Sequence, residues 1–324
     1  MIYTREKLNN VKFSEDRVLH QQYVQKLLTE AQNGTELTLA EESYLCSVVK
    51  LLREEGSNKR AYNIKELNYC KNYCFTNTYL MYFLDVNGHK KVVDAFGEIP
   101  LHKKKVDVEY LHKEYQEWLK FIENKQNQDN LLGYISKETG QQLKELRKYC
   151  QRTFAGSRYH EALKKSLVLH GKYIYLVVKE YYQEQSFTEQ SISINNESIV
   201  INGYTYVHTV FRHYSQAIKQ HQTKSYHLDM MIDYKNLPTV LYELLRCYNE
   251  NIPPTSFNKQ YIFFRFNETD YAIWFKRLTR YVKGNLKEDY LRLETFYPIM
   301  ENRDKVKIAK MTLTNTNCGY SYYI

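Results

Sequence analysis

The spacing of apolar residues changes once along this chain, and that change constrains the fold more than any other feature. Before about residue 185 the apolar positions recur mostly at intervals of three and four, the helical period. Val18, Tyr23, Val24, Leu27 and Leu28 share one helical face, which Asn33-Gly34 closes. Thr38 stands three residues before Glu41, a capping-box spacing, and opens a helix through Tyr44, Leu45, Val48, Val49, Leu51 and Leu52. Tyr110, Leu111, Tyr115, Trp118, Leu119 and Ile122 align on a helix over 106–124, and residues 143–149 and 159–169 read as further helices. Two strand-like interruptions are expected. One is an aromatic-rich segment over 79–86 that turns at Asn87-Gly88 into a return strand over 91–99; the other is the apolar run Lys172 to Tyr182.

After residue 185 the period becomes two. Ile192 and Ile194 alternate with polar residues, Asn195-Asn196 turns the chain, and Ile199 and Ile201 alternate again. A helix over 204–219 follows, then one from Asn236 through Tyr248 with Pro238 in its first turn. Residues 260–267 and 271–278 form a hairpin across Asn267 to Asp270, and residues 290–298 supply a third strand. The expected class is α+β: a mainly helical regulatory or partner-binding region over 1–185 with a small hairpin, then an α+β domain over 186–324 of helices packed on an antiparallel sheet. No internal repeat of fixed period is visible.

Only 11 glycines and 5 prolines occur in 324 residues, which excludes collagen-like and wholly disordered readings. The net charge of +9 favours anionic partners, nucleic acid first, although solubility alone also accounts for such a surplus. The 32 tyrosines suit base stacking, but a genome rich in AT codons is the simpler explanation. No run reaches the roughly 18 apolar residues of a membrane helix, and residues 1–7 lack the apolar region of a secretory signal. Six irregularly spaced cysteines do not make a disulfide framework, so a reducing cytoplasm is the simplest compartment. Cys70 and Cys74 stand four apart, but a structural zinc site needs four ligands and no second close pair exists, so buried thiols are the better reading. His102 with Lys103, Lys104 and Lys105 reads as a solvated basic loop before a phosphate site. Phosphate-loop, dinucleotide, zinc-protease and hydrolase-elbow motifs are all missing, and neither metal nor cofactor is expected.

The informative segment runs from Gly203 to Tyr214. On an ideal helix His208 and Arg212, four apart, share one face, with His213 about 100° further round. An imidazole moves a proton at neutral pH, and a guanidinium fork holds phosphate oxygens and stabilises the charge that grows on them. Those are the requirements of phosphodiester cleavage without a metal; otherwise the residues are a surface pair on an ordinary helix. Lys224, Ser225 and His227 add a cation, a hydroxyl and a second imidazole if that segment folds against the first. Two imidazoles flanking one phosphate would take the proton of an RNA 2′-OH and give one to the leaving 5′-oxygen.

His208, the pair Arg212-His213, the helix from Leu237 to Tyr248, the hairpin Tyr261 to Lys276 and the strand Leu291 to Pro298 follow in an order that resembles the barnase–EndoU–colicin–RelE-like nuclease superfamily. The likeness is to its phage and polymorphic-toxin members and covers about residues 197–300. It implies a metal-independent ribonuclease acting on RNA such as tRNA or mRNA. It also implies a toxin or anti-phage defence role and an inhibitor or antitoxin protein as partner. By this resemblance His208, Arg212, His213 and Thr295 are catalytic; Lys224 and His227 match no motif position. Strict alternation puts Leu291, Leu293, Thr295 and Tyr297 on one face and Arg292, Glu294 and Phe296 on the other, and Arg265 and Lys276 are the expected substrate-binding cations of the sheet. The competing functions are a nucleic-acid binder that does not cut and an inert interaction protein of a mobile element.

Overall fold

The computed structural model describes residues 1–11, 16–35, 37, 41, 44–45, 50–52, 91–93, 101–124, 129–153, 157–184, 188–214, 225, 227, 232, 234–282 and 286–324. These divide into two compact units, one of residues up to Val177, the other of Val178–Tyr214 with the described residues from Ser225 onward. The class is α+β, helices mostly first and a mixed sheet after them.

The first unit contains α1 (Arg5–Asn10), α2 (Arg17–Gln32), β1 (Lys50–Leu52), β2 (Lys91–Val93), α3 (Leu101–Glu123) and α4 (Asn130–Thr153). It also holds most of α5, which spans Ser157–Glu184. Three expectations change here. Leu51 and Leu52 belong to a strand that pairs antiparallel with β2, not to a helix. The basic run ending at Lys105 is helical. Lys172 to Tyr182 continues α5, because Leu167, His170, Ile174 and Val178 are buried at helical intervals and the segment has no turn residue to break it. The strand over 79–86, its Asn87-Gly88 turn and the Cys70–Cys74 pair lie outside the described residues. Between α4 and α5 the backbones approach closely: a Cβ on Gly171 would stand 2.5 Å from Thr139 Oγ1.

The second unit is a seven-stranded sheet. Its strands are β3 (Gln190–Ile194), β4 (Glu197–Ile201), β5 (Tyr261–Phe266), β6 (Thr269–Val282), β7 (Leu286–Pro298), β8 (Leu313–Asn315) and β9 (Ser321–Tyr323). Their spatial order is β3-β4-β7-β6-β5-β9-β8, antiparallel except for β4 against β7. Asn195 and Asn196 both take positive φ, as do Asn267 and Glu268, which gives two two-residue hairpin loops of the mirror-image type that matches strand twist. The second is shorter than expected, since Thr269 and Asp270 already lie in β6. Helices α6 (Gly203–Thr209), α7 (Leu237–Asn251) and α8 (Asn302–Ile308) complete the unit.

One irregularity organises the sheet. Phe275 pairs with Leu293 and Trp274 with Thr295, so Glu294 is an extra residue in β7. Cross-strand partners share a face, and the bulge therefore reverses the alternation of β7. Leu293 and Phe296 lie with Tyr271, Ile273 and Phe275; Thr295 and Tyr297 lie with Ala272 and Trp274. The expected grouping of Thr295 with Leu291 and Leu293 is thereby overturned. The first face meets α7, where Tyr322 Oη donates to Leu244 O at 2.7 Å. The second carries Phe263, Ala272, Tyr297, Ile308 and Tyr323 in one buried cluster against α8.

Phe264, Tyr271 and Phe296 stack on one another with centroids 5.2–6.0 Å apart at the centre of the first face. Phe296 is fully buried, and Phe296→Ala should cost about 3–5 kcal/mol; urea unfolding followed by tyrosine and tryptophan fluorescence measures it.

Candidate active site

Asn202 ends β4 and starts α6. Its side chain accepts from the amides of Tyr204 and Thr205, and Thr205 Oγ1 accepts from the Asn202 amide, a complete capping box. The Thr205 hydroxyl also donates to Leu293 O at 2.5 Å, which fixes α6 to the bulge in β7.

After Thr209 the helix widens to a π turn over Val210–Tyr214. A π turn inserts one residue into the helical repeat, so the side chain brought toward His208 is five residues on, not four. His208 and His213 have ring centroids 6.4 Å apart, and both are half-buried. Arg212 is turned inward and only 7 % exposed. The structure thus brings the two histidines together, while the expected guanidinium of Arg212 is buried.

His213 is held on two sides. Its Nδ1 lies 2.8 Å from Ser225 O, and its ring stacks on Tyr297 at 4.8 Å. A carbonyl only accepts, so Nδ1 carries the hydrogen and, in the neutral ring, Nε2 is the basic nitrogen. Tyr297 Oη donates in turn to the buried carboxylate of Asp304 at 2.9 Å, and burial, with that hydrogen bond, pushes the phenol pKa up. His208 stacks on Tyr204 at 5.5 Å, with Tyr204 Oη 3.5 Å from Nδ1. The Arg292 guanidinium covers the Tyr204 ring at 3.8 Å and pairs with Glu294 at 2.5 Å. Lys276 is exposed and stands directly opposite Arg292 in the β6–β7 register, so it extends the positive charge beside the histidines.

The other expected residues are placed differently. His227 is a core side chain, sandwiched with Tyr214 at 4.0 Å and 7° and touching Phe296 at 4.7 Å. Its Nε2–H donates to Phe296 O at 3.3 Å. Burial pushes its pKa down to about 3, so it is neutral at pH 7 and shielded from solvent. Its backbone still serves the site, because His227 N donates to His213 O at 2.8 Å. Ser225 is buried; its carbonyl orients His213 and its Oγ accepts from Met300 N, so it positions the imidazole and does not face substrate. Arg265 pairs with Asp270 and donates to Tyr323 Oη at the other end of the hairpin. Thr295 is partly buried on the Trp274 face, its Oγ1 without a hydrogen-bond partner among the described residues. Lys224 lies outside the described residues.

Sequence reasoning missed Tyr204, Arg292, Glu294, Tyr297 and Asp304. The i,i+4 spacing of Tyr204 and His208 and the shared strand face of Arg292 and Glu294 were visible signals; nothing in the sequence marked the π turn or the bulge. Among the described residues no group of three or more His, Cys, Asp or Glu side chains is arranged to hold a metal ion, and no helix is long and apolar enough to cross a membrane. Comparison with protein-family models, with curated proteins and with solved structures finds no match.

The buried histidine makes the unit acid-sensitive. Unfolded, His227 titrates near 6.5; folded, it refuses the proton until about pH 3. The unfolded chain binds more protons across that window, so stability falls as pH drops from about 6.5 toward 3, by an amount on the order of a few kcal/mol. Replacing the ring without the titration, as in His227→Phe, should flatten the dependence of the urea midpoint on pH between 6.5 and 4.5; an unchanged slope would contradict the burial argument.

Proposed function

We propose that the sheet-bearing unit is a metal-independent endoribonuclease in which His208 and His213 act as the general acid–base pair. The observation that carries this reading is the convergence of two half-buried imidazoles, 6.4 Å between centroids, one on α6 and the other on the π turn that continues it. One imidazole takes the proton of the ribose 2′-OH as that oxygen attacks phosphorus; the other protonates the departing 5′-oxygen, leaving a cyclic phosphate. The Nδ1–H to carbonyl bond of His213 keeps Nε2 as its working nitrogen. Lys276 and Arg292 supply charge for the phosphate, and the net charge of +9 suits a polyanionic substrate. Arg212 and His227 have no chemical step in this scheme, and Thr295 has none assigned. A toxin or anti-phage role in the cytoplasm, with tRNA or mRNA as target and the first unit receiving an inhibitor protein, follows from the resemblance alone.

The pairing of Arg292 with Glu294 favours a second reading, because a carboxylate beside the phosphate position weakens anion binding. In that reading the protein binds RNA without cutting it, chiefly through exposed Lys276.

Incubation of a labelled single-stranded RNA with the full chain in excess EDTA separates the two. Cleavage is expected, with a 2′-deoxy analogue left intact. His208→Ala and His213→Ala should each slow it about 10²–10⁴-fold at a temperature where both variants remain folded. Binding without products supports the second reading, and cleavage at the wild-type rate by both variants removes the assigned site.

A further inference from the structure

Far from the histidine pair, the end of α7 meets the turn between β8 and β9, and each contributes a cysteine. Cys247 is buried in α7 and Cys318 is exposed in the turn; both thiols are free. Asn251 Nδ2 lies 3.8 Å from Cys247 Sγ and 3.3 Å from Cys318 Sγ, so one amide group bridges the two sulfurs. Thr316 links them again: its Oγ1 is 3.4 Å from Cys247 Sγ and accepts from Cys318 N at 3.4 Å. The turn is shaped for this approach, with Thr316 Oγ1 donating to Tyr320 O at 2.6 Å and Gly319 at a φ of 84° that side chains rarely adopt.

From this geometry we infer that Cys247 and Cys318 form a reversible disulfide when the protein meets a peroxide, fastening the β8–β9 turn to α7. The solvent-facing Cys318 thiol ionises and its thiolate attacks hydrogen peroxide; an S–O bond forms, the O–O bond breaks, and the departing hydroxide takes up the proton the thiol released and leaves as one water, with sulfenic acid on Cys318. The Cys247 sulfur then attacks the Cys318 sulfur; the S–S bond forms, the S–O bond breaks, and the hydroxyl leaves with the Cys247 proton as a second water. Two electrons pass from the two thiols to the peroxide. Burial, and next the neighbouring Cys318 thiol, push the Cys247 pKa up, which suits the inner sulfur to the second, resolving step. A dithiol reductant restores both thiols.

The test is peptide mapping of the full chain by mass spectrometry after hydrogen peroxide treatment under native conditions. The expected product is one cross-linked species joining the Cys247 and Cys318 peptides, two hydrogens lighter than their sum and lost on adding dithiothreitol. The oxidised protein should also have a higher thermal midpoint than the reduced one. Cys247→Ser should abolish the cross-link and leave Cys318 as a sulfenic acid that a dimedone probe captures. Cys318→Ser, at a surface position where folding is not at stake, should abolish the cross-link and leave Cys247 unmodified. Pairing of Cys318 with another cysteine, oxidation of Cys318 without any cross-link to Cys247, or no oxidation at all would each overturn the inference.

Discussion

A strand that loses its neighbour leaves carbonyls that must find donors, and β7 is such a strand. The parallel strand β4 pairs with it only at Leu291 and Arg292. Beyond that point the outward carbonyls of Leu293 and Phe296 are buried, and an unsatisfied buried carbonyl costs about 1–3 kcal/mol. The Thr205 hydroxyl takes the first and the imidazole N–H of His227 takes the second. Two separate segments, the start of α6 and the stretch around residue 227, are thereby pinned along one sheet edge. Everything proposed for the histidine pair rests on this, since α6 carries His208 and the Ser225 to His227 stretch orients His213.

The two kinds of histidine differ by environment. His227 lies flat between aromatic rings, spends one nitrogen on a carbonyl, and is kept neutral by lack of water. His213 also touches an aromatic ring and a carbonyl, yet remains only half-buried. The neighbouring charges are closely matched: Arg292 faces Glu294, and Asp304 is answered by Tyr297, Arg303 and Lys307. Arg292 is thus already answered by a carboxylate, while among the described residues Lys276 enters no such pair.

Much of the second unit was legible. The Asn-Asn turn, the β5–β6 hairpin and the proline-led helix each carry a local signal whose physics is local, and they stand close to where periodicity put them. The run from Lys172 to Tyr182 was misread because a short apolar stretch has no period of its own; only its continuity with Leu167 and His170 reveals a helix. The final helix and the β8–β9 hairpin had no signal strong enough to read. The candidate site was half legible: the histidines were identifiable by chemistry, but their mutual geometry depends on one inserted residue in a helix and one in a strand. Such insertions depend on tertiary context, which composition and spacing do not encode.

The widened turn at Val210–Tyr214 has an evolutionary corollary. A π turn differs from regular α-helix by a single residue, and no intermediate arrangement exists between the two windings. A descendant that lost one residue there would wind as plain α-helix with the same imidazole now four residues on, still beside His208. Rewinding the undeleted segment as α-helix would instead bring Arg212 to that place, so the juxtaposition of the two imidazoles and the extra residue in the helix stand or fall together.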